Sequence, residues 1–235
     1  MNTDSVWPIY LFLSIFLGII TSAYADPPAS FSKAKRIASA MIYQDHQSTF
    51  YCGCDYDIDE KINDVDLASC GYQPRKNERM AKRVTWEHVV PAWHFGHQRQ
   101  CWQKGGRKNC RKHDLIFRKM ETDLHNLVPA IGETNNDRSN YKYGMIEDEA
   151  RRYGRCDFEV DFKDRTAEPA DAIRGDIARI YFYMRDEYQL RISRQQTQLF
   201  NAWAKLDPVG QWECEKNTRV GEIQGNLNPY IERDC

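Results

Sequence analysis

The sequence predicts an α+β domain in which helices surround a small sheet. Two segments near the C-terminus have apolar residues at helical spacing. The middle of the chain instead has short apolar runs broken by glycine, proline and charged residues, which is typical of short strands. Eight cysteines add a third observation, because cysteines after an apolar leader favour disulfide bonds. Together these features indicate a single α+β domain stabilised by disulfides.

The N-terminal segment has the features of a secretion signal. Residues 9–20 form an apolar run too short to span a bilayer, and Ala23 and Ala25 have the spacing that signal peptidase prefers. The leader contains no Lys or Arg, so an uncleaved membrane anchor is the alternative. We predict a signal peptide at residues 1–25 and a mature domain at residues 26–235, periplasmic or secreted, with no membrane contact after cleavage.

All the cysteines lie after the predicted cleavage site, and their even number predicts four disulfides, for which 105 pairings exist. Zinc binding is the alternative. One residue separates the first two cysteines and no C-x-x-C pair occurs, so the usual spacing of zinc ligands is absent. The residues predicted to form disulfides are Cys52, Cys54, Cys70, Cys101, Cys110, Cys156, Cys214 and Cys235.

The charge distribution is more informative than the total charge. The leader contains one acid, Asp4, so the mature region keeps 33 basic and 33 acidic residues. Residues 99–119 carry eight Lys or Arg side chains against the single acid Asp114, whereas residues 55–66 are mostly acidic. A basic segment of this kind can steer a polyanion towards a neutral protein. On charge alone, a solvated basic loop is the other interpretation.

Three helices are predicted outside the central region. SFSKAKRIASAMIYQ offers a serine cap and places Ile37 and Met41 at helical spacing. EPADAIRGDIARIYFYMRDEY is predicted to carry Pro169 in its first turn, and SRQQTQLFNAWAKLDP has Ser193 as a cap and ends before Pro208. The aromatic residues of the last two helices are expected in the core rather than in a platform for nucleic-acid bases.

The stretch RVTWEHVVPAW places Glu87 beside His88 in an apolar, β-branched run. Neighbours on a strand point to opposite faces, but a twisted strand end before Pro91 can bring both groups to one rim. Glutamate supplies a hard oxygen ligand, and histidine supplies a base that is largely neutral near pH 7. Taken alone, two incidental surface neighbours are the simpler interpretation.

A second polar cluster lies in DLHNLVPAIGETNNDRSN, residues 123–140. Its apolar residues predict a short strand that contains Asn126 and stops at Pro129, followed by a short helix. Asn135 is then expected in the first helical turn, facing the rim where the strands end. A helix cap and a buried amide are the structural alternatives for Asn135 and Asn126 respectively.

These strings resemble the bacterial endonuclease I family. RVTWEHVVPAW, DLHNLVPAIGETNNDRSN, FYCGC near residue 50 and WECEKNTRVGEIQGN near the end carry the resemblance, which spans roughly residues 30–235. The resemblance implies a ββα-metal nuclease core surrounded by helices. It also implies an exported endonuclease that hydrolyses DNA, and is expected to hydrolyse RNA, with little sequence specificity and with 5′-phosphate products.

The resemblance further implies roles for individual residues. His88 becomes the general base, and Glu87 and Asn135 become the ligands of one divalent cation, Mg²⁺ or alternatively Ca²⁺ or Mn²⁺. Asn126 is expected to orient the active-site loop or His88. The basic segment is expected to bind substrate, with Arg107 as the best match to the family's phosphate-binding arginine and with Arg99, Lys108 and Arg111 as alternatives.

The chemistry of these residues agrees with the resemblance. Phosphodiester hydrolysis needs an activated water and neutralised phosphoryl oxygens, and two oxygen ligands leave a cation such as Mg²⁺ with sites for water and phosphate. Binding through phosphates predicts cleavage that is sequence-independent and salt-sensitive. A monomer is expected. A non-catalytic nucleic-acid-binding module and a disulfide-rich structural protein are the alternatives, and a plasmid-nicking assay distinguishes them from a nuclease.

Overall fold

A computed structural model describes residues 26–58, 63–148 and 150–235, so the predicted signal peptide lies outside the described residues. The described strands are β1 Tyr56–Ile58, β2 Asn63–Val65, β3 Val84–His88, β4 Leu127–Ile131, β5 Lys142–Tyr143, β6 Phe158–Asp161 and β7 Thr166–Pro169. The described α-helices are α1 Phe31–Ile37, α2 Glu78–Ala81, α3 Ala92–Gly96, α4 Gln100–Gln103, α5 Gly106–His113, α6 Leu115–Thr122, α7 Gly132–Arg138, α8 Arg174–Tyr188, α9 Arg194–Leu206, α10 Gln211–Gln224 and α11 Pro229–Glu232. Helices and short strands thus make up the predicted α+β fold.

The strands form small separate sheets. Strand β1 pairs with β2, β3 pairs with β4, and β7 lies between β5 and β6. The β3–β4 pair is antiparallel, with Val84 opposite Ile131 and His88 opposite Leu127, and α7 begins at the residue after β4. Two strands followed by a helix are therefore the ββα arrangement that the sequence predicted. Helices α3 to α6 fill the connection between the two strands.

The first predicted helix forms and then changes its winding. Ser30 caps α1, because its hydroxyl accepts a hydrogen bond from the amide of Lys33. The chain continues as one π-helical turn, Ala38–Ile42, which Tyr43 ends by donating its amide to the carbonyl of Ala38. The helix begins and is capped as predicted, but after the π turn Ile42 is buried and Met41, which the helical spacing had aligned with Ile37, is exposed.

The basic segment 99–119 is helical, so its description as a loop was wrong. Helices α4, α5 and α6 occupy it, and Asp114 caps α6 by accepting the amide of Phe117 at 2.9 Å. The disulfide between Cys101 and Cys110 joins α4 to α5. Short-range capping and a cross-link therefore restrain the backbone that carries these basic side chains.

Two prolines lie in strands, which corrects two predictions. Pro129 does not stop the second strand but lies inside β4, and its carbonyl accepts the amide of Phe50, which belongs to neither strand of the pair. The backbone of Pro129 therefore faces away from β3, and its missing N–H removes no hydrogen bond of the ladder. Pro169 ends β7 rather than starting a helix, and α8 begins after a 3₁₀ turn, Asp171–Ile173.

The remaining local predictions concern α9, Asn126 and the cysteines. Ser193 caps α9, which ends before Pro208 as predicted. Asn126 lies in a 3₁₀ turn, Leu124–Asn126, just before β4, and not inside the strand.

All eight cysteines form disulfides, which confirms that prediction, and the pairs are Cys52–Cys156, Cys54–Cys70, Cys101–Cys110 and Cys214–Cys235.

The β3–β4 pair separates two hydrophobic clusters. The larger cluster includes Val128 and Ala130 of β4, and the smaller one includes Leu127 together with Ala34 and Ile42 from the N-terminal helical segment. Both faces of this pair are therefore covered by side chains from other elements. Within the described part of the chain, no helix has the length and apolarity needed to cross a membrane.

Candidate active site

The last two residues of β3 leave opposite faces of the strand. Glu87 and Thr85 share one face, as expected for alternate strand positions, and contact side chains of α7. His88 and Trp86 share the other face, where they contact Phe31 and Tyr43 from the N-terminal segment. We call these the α7 face and the α1 face. The structure does not turn both groups to one side of the strand.

His88 on the α1 face is 6% exposed. Its Nε2 lies 2.8 Å from the backbone carbonyl of Glu121, and because a carbonyl can only accept, Nε2 carries the proton and donates it. Burial first, and then the charge of Arg107, lower the pKa of His88 to about 4. The imidazole is therefore neutral at pH 7, with Nδ1 as its basic nitrogen.

The side chain of Glu121 holds two arginines beside His88. Its buried carboxylate accepts hydrogen bonds from Arg107 at 2.5 Å and from Arg111 at 2.7 Å. Burial opposes ionisation, but Arg111 and Arg107 outweigh it and lower the pKa of Glu121. The Nη2 atom of Arg107 is buried and has no hydrogen-bond partner among the described residues. One residue thus contacts the histidine through its backbone and the two arginines through its side chain.

Glu87 on the α7 face is 4% exposed and lies in an ion pair. Its Oε1 accepts hydrogen bonds from Tyr51 at 2.9 Å and from Arg138 at 3.0 Å. The Tyr51 hydroxyl is also 2.6 Å from that of Tyr143. Burial raises the pKa of Glu87, and Arg138 opposes that increase. Among the described residues, desolvation is therefore opposed mainly by the charge of Arg138, with the hydrogen bond from Tyr51 next.

Arg138 connects the end of β3 to α7. Its side chain is fully buried, and besides Glu87 it donates to the backbone carbonyls of His88 at 3.1 Å and Val89 at 2.7 Å. The guanidinium also lies over the ring of Tyr143, 4.5 Å from the ring centre. Because these contacts hold carbonyls on both sides of the strand end, Arg138 constrains the backbone that carries both candidate catalytic residues.

Asn135 lies in α7, in the position predicted for a cation ligand. Its Nδ2 donates to the hydroxyl of Thr85 at 3.0 Å, and Thr85 is two residues before Glu87 on the same face of β3. Asn135 and Glu87 are therefore on one side of the strand pair. In the described ranges, no three His, Cys, Asp or Glu side chains are grouped as a metal site, so these oxygens are the candidate protein ligands.

Asn126 is fully buried next to the segment that follows His88. Its Oδ1 accepts the amide of Val90 at 2.7 Å and its Nδ2 donates to the carbonyl of the same residue at 3.0 Å. The side-chain amide therefore forms the two hydrogen bonds to Val90 that a neighbouring strand would form if β3 extended further. This contact holds the loop after His88 in place.

The other predicted substrate-binding residues lie in different surroundings. Arg99 pairs with Asp114 through two hydrogen bonds, at 2.7 and 3.0 Å, and so is neutralised. Lys108 is exposed on α5. Arg107 and Arg111 are the basic residues that share Glu121, and the structure brings these two to His88.

Several residues of this site escaped the sequence-based prediction. Arg138 could have been found, because it is three residues after Asn135 and therefore on the same side of a helix. Glu121 and Phe31 carried no comparable signal, since their contacts with His88 join segments far apart in the chain. Tyr51 likewise reaches Glu87 from a distant loop.

Comparison with known proteins places this chain in one class, the endonuclease I proteins. The endonuclease I family model matches residues 31–235, and the chain belongs to that family. It is 49% identical to a periplasmic deoxyribonuclease of Aeromonas hydrophila, over 96% of this chain and 94% of the relative. It is 53% identical to an extracellular deoxyribonuclease of the same species, over 83% and 86%.

A third relative, endonuclease-1 of Buchnera aphidicola subsp. Acyrthosiphon pisum (strain APS), is 47% identical over 88% of this chain and 82% of the relative. Family membership makes the protein a nuclease, and the predicted periplasmic or secreted location is confirmed by the locations in the relatives' names.

Proposed function

We propose that this protein is a divalent-cation-dependent endonuclease that hydrolyses phosphodiester bonds of DNA with little sequence preference. The observation that carries the proposal is the neutral imidazole of His88, held by the Glu121 carbonyl beside Arg107. The deoxyribonuclease names of the Aeromonas relatives support DNA as the substrate. The protein acts as a monomer in this proposal.

His88 is the general base. Its Nε2–H is committed to the Glu121 carbonyl, so Nδ1 accepts the proton of the attacking water. The low pKa of His88 keeps Nδ1 unprotonated at neutral pH, although it also makes the imidazole a weaker base. Proton removal by a positioned histidine contributes roughly 10²–10⁴-fold to the rate.

Arg107 binds the phosphate near the scissile bond. The Arg107 side chain is 38% exposed and its Nη2 has no hydrogen-bond partner among the described residues, so the guanidinium keeps donors for a phosphate oxygen, while the pair with Glu121 orients it. Arg111 and Lys108 add attraction for the nucleic-acid backbone, whereas Arg99 contributes less because Asp114 neutralises it. Contacts with phosphates alone leave the bases unread, so RNA is also a proposed substrate.

Glu87 and Asn135 would hold the cation on the α7 face. Because Glu87 and His88 are neighbours at the end of β3, the scissile phosphate is proposed to bind across that strand end, where the base and the cation can both reach it. The side-chain hydrogen bonds from Tyr51 and Arg138 go to Glu87 Oε1, and the Asn135 contact with Thr85 uses Nδ2, so these described side-chain contacts occupy neither Glu87 Oε2 nor Asn135 Oδ1. One carboxylate and one amide oxygen are hard ligands that suit Mg²⁺, with Ca²⁺ and Mn²⁺ as alternatives. When bound, the cation supplies charge to neutralise the phosphoryl and leaving oxygens.

Asn126 is a positioning residue in this proposal, because it is fully buried and contacts the backbone of Val90.

Cleavage of the bond between phosphorus and the 3′ oxygen leaves products with 5′-phosphate ends. End-labelling of the products before and after phosphatase treatment checks this step. Products with 3′-phosphate ends would contradict it.

Nicking of supercoiled plasmid by the mature protein tests the proposal. The wild type is expected to nick with Mg²⁺ and to stop when EDTA is added, and His88→Ala should lower the rate roughly 10²–10⁴-fold with little change in DNA affinity. His113→Ala is the control, because His113 is an exposed residue at the end of α5. Near wild-type cleavage by His88→Ala would exclude His88 as the base.

A further inference from the structure

Phe31, the first residue of α1, lies against the proposed catalytic groups. Its ring stacks on the imidazole of His88, with 5.0 Å between ring centres and 24° between ring planes. The guanidinium carbons of Arg107 and Arg111 are 5.3 and 5.7 Å from the centre of the same ring. Among the described side chains, this ring therefore contacts the proposed base and both arginines that share Glu121.

The other contacts of His88 leave its ring incompletely held. The hydrogen bond from Nε2 to Glu121 fixes one nitrogen, and Phe95 approaches edge-on with 6.2 Å between ring centres. The hydrogen bond fixes the position of Nε2 more closely than it fixes the plane of the ring. Stacking on Phe31 restricts that plane and therefore the direction in which Nδ1 points.

Arg107 depends on the same ring. Its pair with Glu121 runs through Nε, whereas the buried Nη2 has no hydrogen-bond partner among the described residues. An unsatisfied buried donor is costly, and the negative face of an aromatic ring partly compensates for it by a cation–π interaction. Phe31 thus supports the orientation of the Arg107 guanidinium beside His88.

We infer that Phe31 is a positioning residue of the nuclease site, whose ring sets the mutual orientation of His88 and Arg107. The inference rests on the proposed function and extends it, because it brings a residue from outside the ββα core into the site. Helix α1 stays on the strand pair without this ring, since Tyr43 beyond its end packs on Trp86 and donates to the carbonyl of Leu127.

Steady-state kinetics of plasmid or oligonucleotide cleavage test the inference. Phe31→Leu keeps an apolar side chain but removes the aromatic face, and is expected to lower kcat about 10–100-fold with KM changed less than about threefold. Phe31→Tyr, which keeps the ring, should restore kcat to within about threefold of wild type.

Ile37→Ala is the matched control on the same helix. Ile37 also packs against the smaller hydrophobic cluster, and the described contacts join it to neither His88 nor Arg107. It should lower the melting temperature at least as much as Phe31→Leu while keeping kcat. Equal losses of kcat in Ile37→Ala and Phe31→Leu, or failure of Phe31→Tyr to restore kcat, would overturn the inference.

Two further outcomes separate the inference from the proposed function. A Phe31→Leu variant as fast as wild type, or faster, would mean that the ring is a passive or obstructing cover, and the inference would fail while an inactive His88→Ala upheld the proposed base. Full activity of His88→Ala in the same assay would instead overturn the proposed function itself.

Discussion

The two faces of the β3–β4 pair bury polar side chains in different ways. On the α1 face, His88 is buried as a neutral ring, held by a backbone carbonyl and an aromatic side chain. On the α7 face, Glu87 is buried as one half of an ion pair with Arg138, whose side chain has no exposed surface. A neutral base can be buried at little electrostatic cost, whereas a buried charge needs a partner.

Because of this difference, substitutions on the two faces should affect catalysis and stability to different extents. Changes on the α1 face should impair catalysis and leave the fold nearly intact, because the ion pairs of Glu121 are duplicated and partly exposed. On the α7 face, loss of either member of the Glu87–Arg138 pair should destabilise the fold as well, since it removes the only charged partner shown for the other in the described structure.

Arg138→Met tests the contrast most strongly. The substitution leaves the carboxylate of Glu87 buried without its cation and should lower the free energy of unfolding by roughly 3–5 kcal/mol. Arg107→Met is the matched change on the α1 face, and it should cost less than about 1 kcal/mol because Arg111 still pairs with Glu121. Urea unfolding measures both variants. Similar losses would remove the distinction between the faces.

Arg107→Ala tests the chemistry of the α1 face. Loss of an oriented phosphate donor should lower the cleavage rate roughly 10²-fold, whereas Lys108→Ala should have a small effect because the described contacts join Arg107, but not Lys108, to Glu121 beside His88. Arg111→Ala should fall between them, since Arg111 shares Glu121 with Arg107. Single-turnover rates at saturating enzyme compare the three variants. Equal reductions would make Arg107 one member of a general basic patch.

Lys216 extends the comparison to a buried charge with weaker contacts than Arg138. It lines a cavity of about 230 Å³ and donates to the carbonyl of His125 at 3.4 Å. Burial lowers its pKa to about 8, below the value of about 10.4 for an unfolded chain. The folded protein then binds fewer protons than the unfolded chain between these two values, so stability should rise with pH there.

The free energy of unfolding should increase by an amount on the order of 2 kcal/mol between about pH 8 and about pH 10. Lys216→Met should abolish it, and the exposed Lys205→Met should leave it unchanged. Chemical unfolding at a series of pH values provides the measurement. An identical slope in wild type and Lys216→Met would show that Lys216 is not the titrating group.

Asn135→Ala gives the smallest expected effect and the cleanest test of the cation site. Removal of one of the two proposed ligands should raise the Mg²⁺ concentration for half-maximal activity about tenfold, and Asn135→Asp should restore it. Glu87→Gln is less specific, because it also deprives Arg138 of its charged partner. An unchanged Mg²⁺ requirement in Asn135→Ala would move the cation site elsewhere.

Local sequence patterns predicted much of this structure. The serine caps of α1 and α9, the strand through Glu87 and His88 and the short helix with Asn135 all form where predicted. Pro129 was misjudged, because proline normally ends strands and only the direction of its backbone relative to β3 makes it acceptable. The basic segment 99–119 was described as a loop from its charge, but charge does not indicate whether a segment is helical, and this one is.

The sequence alone determined the α+β class, the disulfides, the ββα order and the family, because each depends on composition, local spacing or long motifs. The tertiary structure decided which cysteines pair, that Glu87 and His88 face opposite ways with Arg138 and Phe31 as partners, and that Glu121 holds Arg107. The contacts Glu87–Arg138, His88–Phe31 and Cys52–Cys156 join segments far apart in the chain. Their geometry depends on how helices pack against the β3–β4 pair, and no local pattern encodes that packing.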